Sequence, residues 1–432
     1  MPQPLTVLLT GANGFIGRYV MGALLSAGHH VVPAVRRPAE IDRLLSAPAA
    51  IRVDMNRDVQ PEDWLDRLTG IDAVINCAGV LQGRPGQSIG AIHEAAPKAL
   101  FEACRRAGVR RVIQISAISA EPAADTAYAA TKHAADRFLA ATDLDWVILR
   151  PSLVYAAGAF GGTALFRALA ALPGVLPVIG RGDQPFQPIH IDDLTATILL
   201  LLQDRAINRV VLDPVGPERV SLRDVLVDLR AWLGLPPARV VRVPRALVGL
   251  VARLGDLVGG PVSTTALKQL DFGNAGSPDA FMTATAIRPR RWRDALRAHP
   301  AQWQDRWHAR LYFVRPLLRG ALILTWLGSG IVGLLQPATR LAPLLQRLGL
   351  DGAIGVSMAA GFSVVDLAIA LALLLRWRPG LTAAAQLCVV LGYTIGLGLL
   401  APGLWMDPFG PLLKNLPILA AILALGALET DR

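Results

Sequence analysis

The sequence predicts a doubly wound α/β parallel sheet followed by an all-α, four-helix transmembrane domain, and three observations carry that prediction. Up to about residue 240, short β-branched runs alternate with helix-length segments. Gly11, Gly14 and Gly17 follow the first of those runs directly. Beyond about Arg310 the pattern gives way to four long apolar blocks. At 432 residues the chain exceeds one ordinary domain. The expected division is 1–300 for the α/β domain, 301–316 for a juxtamembrane segment and 317–432 for the membrane domain.

Six strands are expected, in "LTVLLT", "HHVVPAV", "AAIRVD", "IDAVINC", "RRVIQIS" and "LDWVILR". Helix-length stretches separate most of them, and such alternation implies a parallel sheet with helices on both faces. Pro33 sits inside the second strand, where its missing N–H weakens the ladder and blurs the strand's limits.

The apolar blocks are Leu317–Leu335, Gly355–Leu375, Leu381–Leu400 and Leu412–Leu428. Their lengths approach the ~20 residues needed to cross ~30 Å of hydrocarbon. Just before them, Trp303, Trp307 and Tyr312 interleave with Arg306, Arg310, Arg315 and Arg319, the mixture expected at a headgroup boundary. Composition agrees. Hydrophobic residues make up 53% and charged ones 18%, against about 45–50% and about 25% in soluble domains, so part of the chain belongs in lipid. The net charge of +10 has no zinc-finger, recognition-helix or aromatic–basic RNA signature beside it. Nucleic acid is therefore not the expected partner, and attraction to anionic membrane lipid fits better. Cys77, Cys104 and Cys388 lack metal or redox spacing, which suits a reducing compartment. Met1 runs almost straight into a strand, so no signal peptide is expected.

With the α/β domain in the cytoplasm, four spans return the C-terminus to it. Arg306, Arg310, Arg315, Arg319, Arg376, Arg378 and Arg432 then lie inside, against Arg340, Arg347 and Lys414 outside. That bias supports a multi-pass inner-membrane protein with a cytoplasmic nucleotide domain. Asp366 falls midway along the second span, where an acid is costly unless paired or wet. It is either a functional group or a structural tie to Ser363 or a neighbouring helix.

A strand that ends in glycine and opens a helix points backbone N–H groups, and the positive end of the helix dipole, at an anion. Gly11 permits the turn, Gly14 lets a phosphate approach, and Gly17 lets the helix pack on the strand. The loop from Gly11 through Asn13, Gly14, Phe15 and Ile16 to Gly17 is thus the expected phosphate cradle of a Rossmann-type unit. Its glycine spacing resembles the short-chain dehydrogenase/reductase superfamily, in its extended and atypical branches. In NAD-preferring members a carboxylate about 20 residues into the unit binds the ribose 2′-OH. Arg36 and Arg37 stand at that point here. Guanidinium pairs a 2′-phosphate well, so NADP is expected over NAD.

The resemblance implies further contacts in family order. Asp54 ends the third strand on the adenine side. Asn76, Cys77, Ala78 and Gly79 end the fourth, where small residues admit the cofactor. Pro151, in "RPSLVY", lies on the nicotinamide side, and "FQPIHIDDL" resembles the hinge to the substrate lobe.

Tyr128 and Lys132 are spaced to share one helix face. The phenol is expected to exchange a proton with substrate, with the ammonium lowering its pKa and holding the nicotinamide ribose. The third member should be a hydroxyl. Ala117 occupies its aligned position, and Ser116 and Ser119 flank it. The best overall match is the atypical group that includes the dehydrogenase-like accessory subunit of respiratory complex I. The tail resembles the DoxX-like membrane family from about residue 311 onwards. Some members of the first group reduce substrates and others keep the nucleotide structurally. Two functions follow: a membrane-tethered NADP-dependent oxidoreductase acting on a lipophilic carbonyl or quinone-like substrate, or a non-catalytic NADP(H)-binding scaffold for a membrane-protein partner.

Overall fold

The computed structural model describes residues 3–42, 48–83, 86–258, 260, 262–337, 339, 346, 352–408 and 410–429. Arg340, Arg347 and Arg432 of the charge count lie outside them. The chain divides into two compact units, Met1–Ala309 and Arg310–Arg432.

The first unit is built on a seven-stranded sheet: β1 (Thr6–Thr10), β2 (His30–Val35), β3 (Ile51–Arg52), β4 (Ala73–Asn76), β5 (Arg111–Ile115), β6 (Asp145–Leu149) and β7 (Val210–Leu212). The spatial order is β7-β6-β5-β4-β1-β2-β3, every neighbouring pair parallel. Alternation along the strands supplies both faces. Val7, Leu9, Ile75 and Ile113 enter one core, while Leu8, Val74 and Val112 enter the other. Each such side chain taken fully from water contributes about 1.5–3 kcal/mol. Helices α1 (Phe15–Ser26) and α4 (Ile191–Gln203) cover the first face, and α2 (Ala96–Ala107) and α3 (Ala127–Ala140) the second.

The sheet differs from expectation at its edges. The third strand shrinks to Ile51–Arg52 and pairs β2 only at Ala34 and Val35. That leaves Pro33 open on one side, which is how a proline is tolerated there. The seventh strand, in "NRVVLD", is an addition to the six expected. A smaller lobe follows β6. In it "RPSLVY" and "FQPIHIDDL" meet, Ile189 and His190 pairing in parallel with Val154 and Tyr155.

The second unit is helical and inside out. Helices α5 (Trp303–Leu335), α6 (Gly352–Leu375) and α7 (Pro379–Leu400) are long and apolar enough to cross a membrane. Helix α5 begins well before the expected span and runs unbroken through Pro316. The fourth block is shorter than expected. It forms α8 (Asn415–Leu428), whose 14 residues reach about 21 Å at 1.5 Å per residue, short of a full bilayer crossing. Leu317, Leu324, Leu374 and Leu399 face outward, while Gln386, Asp366, Thr382 and Thr394 are buried. That inversion suits a lipid solvent. Arg319 pairs with Glu429, and Arg315 donates to the Leu428 carbonyl at 3.5 Å. The beginning of the apolar part of α5 and the end of α8 therefore share one end of the bundle.

Candidate active site

The sheet reverses its winding between β1 and β4, and ligands of such folds bind above the strand ends at that point. The glycine loop lies there. Gly11 adopts φ +65°, and a Cβ on it would stand 2.8 Å from the backbone of Cys77 and Ala78. A Cβ on Gly17 would stand 2.2 Å from the Gly11 carbonyl oxygen. Gly14 caps α1 with no side chain bonded to the cap, leaving the helix N–H groups to an anion. The Asn13 amide instead donates to Glu40 at 2.7 Å, and Arg18 Nε donates to the Asn13 carbonyl at 3.0 Å. This narrow, side-chain-free cradle fits a dinucleotide pyrophosphate.

Arg36 and Arg37 follow β2 as expected. Arg37 is largely exposed and lies 3.6 Å from Glu40. Arg36 reaches the Gln87 amide oxygen at 2.8 and 3.0 Å once that amide is turned to accept. Asp54 lies two residues beyond β3 and accepts from the Asn56 backbone N–H at 3.1 Å and side chain at 3.0 Å. Burial works against its ionisation, but Asn56 and the nearby Arg36 and Arg57 hold it below the usual carboxylate range.

Thr126 caps α3, its side chain accepting from the Ala129 N–H, and so sets the face that carries Tyr128 and Lys132. Lys132 is buried and donates to the Ile115 carbonyl at 3.0 Å. A Cβ on Gly79 would lie 3.6 Å from Lys132 Nζ and 3.5 Å from His93 Nε2. The ends of β4 and β5 and the tyrosine–lysine face thus converge on one point. Burial holds Lys132 below the usual lysine range, against the pull of Asp136.

The expectation that Lys132 lowers the phenol's pKa is not met. Burial, then the charge of Asp136, pushes Tyr128 upward, while the ammonium is drawn to the Ile115 carbonyl and lies 5.9 Å from the ring centroid. Tyr128 stays protonated at neutral pH, as an unperturbed phenol would, and is a weaker acid than one.

Two further neighbours were not among the expected site residues. His93 meets the Tyr128 ring edge-on, centroids 5.3 Å apart. Its Nε2 accepts from the Val80 N–H at 2.9 Å and its Nδ1 faces Thr131 Oγ1 at 3.2 Å. Burial, then Lys132, holds its pKa down to about 3, so the ring is neutral. Asp136 is the second, one turn beyond Lys132. The i, i+4 spacing that linked Tyr128 to Lys132 also links Lys132 to Asp136, and was the available signal.

The flanking serines separate. Ser116 donates to Asp136 Oδ2, so its hydroxyl is committed beneath α3. Ser119 is also buried, in the loop ahead of the short helix Pro122–Ala124. Burial pushes the Cys77 thiol up to about 12, which fits packing rather than reactivity. Pro151 follows β6 and its carbonyl accepts from Ile118 N–H at 3.0 Å.

The membrane unit holds a separate polar group. Ser329 donates to Asp366 at 2.6 Å and Tyr393 to its other oxygen at 3.5 Å, joining α5, α6 and α7. Trp326 donates to Gln386 at 2.9 Å, and Asn415 to Thr394 at 2.8 Å.

The comparisons agree with this division. Residues 11–165 match a family described as NAD(P)H-binding, and residues 323–423 match the DoxX-like family. The chain belongs to the NAD(P)H-binding family of reductase- and epimerase-like proteins and carries a DoxX-like domain at its C-terminal end. A ceramide reductase of Caulobacter vibrioides is 29% identical over 55% of this chain and 73% of its own. The mitochondrial NADH dehydrogenase [ubiquinone] 1 alpha subcomplex subunit 9 of Arabidopsis thaliana is 25% identical over 64% of this chain and 71% of its own. Among solved structures, MoeE5 in complex with UDP-glucose and NAD superposes with a TM-score of 0.52 at 24% identity, over 70% of this chain and 99% of that one. That likeness concerns the fold.

Proposed function

We propose that the chain is a membrane-tethered, NADP-dependent reductase acting on a lipophilic carbonyl or quinone-like substrate. The observation that carries the reading is that Lys132, with the Tyr128 ring beside it, closes on Gly79 at the same strand end that Gly11 packs against. Residues Gly11 to Gly17 hold the pyrophosphate, and Arg36 and Arg37 the 2′-phosphate. Asp54 lies on the adenine side, and Cys77, Ala78, Gly79 and Pro151 flank the nicotinamide. A bound nicotinamide supplies hydride. Lys132 holds the ribose beside it, and Tyr128, kept protonated by its surroundings, donates a proton to the carbonyl oxygen. His93 supports the phenol edge-on. The lipid named in one relative, a ceramide reductase, supports a lipophilic substrate class.

The test is NADPH oxidation by the detergent-purified chain across a carbonyl and quinone panel. Tight NADPH binding with no turnover of any member would leave the scaffold reading, in which the spans engage a membrane-protein partner. That reading is favoured by one observation: Ala117 stands where the polarising hydroxyl is expected and Ser116 is tied to Asp136.

For the cofactor, Arg36→Ala with Arg37→Ala is expected to remove most of the preference for NADPH over NADH. Each charge-assisted contact is worth roughly 1.5–3 kcal/mol. Equal affinities of the unaltered protein in fluorescence titration would count against the assignment.

The pH dependence follows from Lys132. Its cationic form holds the ribose, and burial lowers its pKa. Turnover is expected to fall with rising pH, below the ~10.4 of a free lysine. Asp136→Asn removes the charge that keeps Lys132 protonated, so the alkaline limb of kcat/KM moves to lower pH. A limb unmoved by that substitution argues against Asp136 acting through Lys132.

The topology proposed is a multi-pass inner-membrane protein with four crossings and a cytoplasmic nucleotide domain, α8 dipping through a locally thinned or polar-lined region. The shared bundle end of Arg319 and Glu429 supports an even number of crossings. Reporter fusions after Pro343 and Arg432 should report opposite compartments, and the same compartment for both would overturn it.

A further inference from the structure

The helix Arg245–Val258 carries its large apolar residues on the outside. Its inward face is made of small ones. Ala252 is fully buried, and a Cβ on Gly255 would come within 1.8 Å of the Val262 carbonyl oxygen. Leu247, Leu250, Val251, Leu254 and Leu257 lie 46–83% exposed. Their spacing of three and four residues places them on one stripe. A continuous exposed apolar stripe on a folded domain marks a surface that something covers.

The charges around it indicate what covers it. Arg253 borders the stripe on the helix itself, and Arg239 and Arg242 stand on opposite faces of the strand just before it, Arg239–Val243. All three are exposed, and none forms an ion pair among the described residues. An apolar stripe bordered by the unpaired Arg253 complements an anionic bilayer surface, where the leucines enter the acyl boundary and the guanidinium meets phosphate. Three helices of the same chain are long and apolar enough to cross a membrane, so a bilayer is available to this surface.

The helix is also fastened to the rim of the candidate site. Asp256 accepts from Thr264 N–H at 3.1 Å and from its hydroxyl at 2.7 Å, joining the stripe to the helix Thr264–Phe272. From that second helix Gln269 donates to Thr126 at 2.7 Å and Lys268 to Asp125 at 2.6 Å, just ahead of Tyr128. Gln82, three residues beyond Gly79, donates to the Gly260 carbonyl between the two helices at 3.1 Å.

We propose that the helix Arg245–Val258 lies in the headgroup region of an anionic bilayer, apolar stripe inward, and admits a bilayer-dissolved substrate to Tyr128. The second half rests on the reductase reading, whereas the first does not. Full-length protein carrying Cys388→Ser and Leu254→Cys, labelled with an environment-sensitive fluorophore, is placed in phosphatidylcholine–phosphatidylglycerol nanodiscs. Doxyl-labelled lipid should remove most of the emission from position 254 and leave a Val227→Cys control unchanged. An unquenched label at 254 overturns the proposal, whether it sits in water or is covered by a second copy or another part of the chain. Leu250→Glu with Leu254→Glu should then raise KM for a bilayer-dissolved substrate while leaving NADPH affinity and the rate on a short water-soluble analogue as they were. An unchanged KM overturns the admission role. Quenching by lipid without turnover of any substrate keeps the membrane contact and removes the reductase reading, so the two failures are distinguishable.

Discussion

Tyr128→Phe is expected to retain folding and NADPH affinity while lowering turnover by roughly 10²–10⁴-fold, the range of general acid–base groups. Only a hydroxyl is lost, and the ring that His93 contacts edge-on remains in place. The structure sharpens the direction of the effect. Burial and Asp136 hold the phenol in its protonated form, the form that reduction would use. Lys132→Ala should behave differently, weakening the cofactor as well as the rate, because Lys132 lies where β4 and β5 end. The measurement is steady-state NADPH oxidation alongside a fluorescence titration of the nucleotide. A Phe variant that turns over at the unaltered rate removes Tyr128 from the mechanism. Equal phenotypes of the unaltered and Phe genes, with no turnover by either protein, would favour the scaffold.

The parts legible in the sequence are those governed by local chemistry. The glycine loop was readable because each glycine answers a separate short-range demand, and the structure shows those demands as backbone contacts at Gly11 and Gly17. Strand alternation was readable because both faces of a parallel sheet are covered, so Val7, Leu8 and Leu9 are all apolar. Edges were harder. Ile51–Arg52 and Val210–Leu212 have neighbours on one side only, and their lengths depend on tertiary pairing rather than propensity. The short α8 was overread for a similar reason, since the apolar run includes Leu412 and Leu413, which lie in a turn.

The electrostatics of the candidate site were the least legible. Spacing brings Tyr128 and Lys132 to one helix face, but whether a cation lowers a neighbour's pKa depends on burial and on competing partners. Here the Ile115 carbonyl takes the ammonium and Asp136 opposes it at the phenol. His93 is 35 positions from Tyr128 in sequence, and only the packing of the helical turn Ala91–Ala95 on α3 brings the rings together. The commitment of Ser116 to Asp136 is likewise a long-range fact. The inverted faces of Arg245–Val258 show the same limit. Ala252 and Gly255, not its larger residues, hold the buried side.

The second large effect is expected at Gly17. An alanine Cβ there would lie 2.2 Å from the Gly11 carbonyl oxygen and 2.9 Å from the Ala12 Cα, and both are backbone atoms. No rotamer change relieves such a contact, so the loop and the first turn of α1 must separate. That turn carries the N–H groups proposed to hold the pyrophosphate, and their combined field decays within one turn of the helix end. Losing two phosphate contacts at about 1.5–3 kcal/mol each would weaken NADPH by roughly 10²–10⁴-fold. The sheet should survive, because Val20, Met21 and Leu24 still anchor α1 in the core beneath the loop. Gly22, with nothing within 4 Å of an added Cβ, is the matched control, and Gly22→Ala should bind NADPH as the unaltered chain does. The measurement is a nucleotide titration with circular dichroism recorded on the same samples. A Gly17→Ala protein that keeps both its helical signal and its NADPH affinity would show that the cradle tolerates a side chain, and the pyrophosphate would have to bind elsewhere.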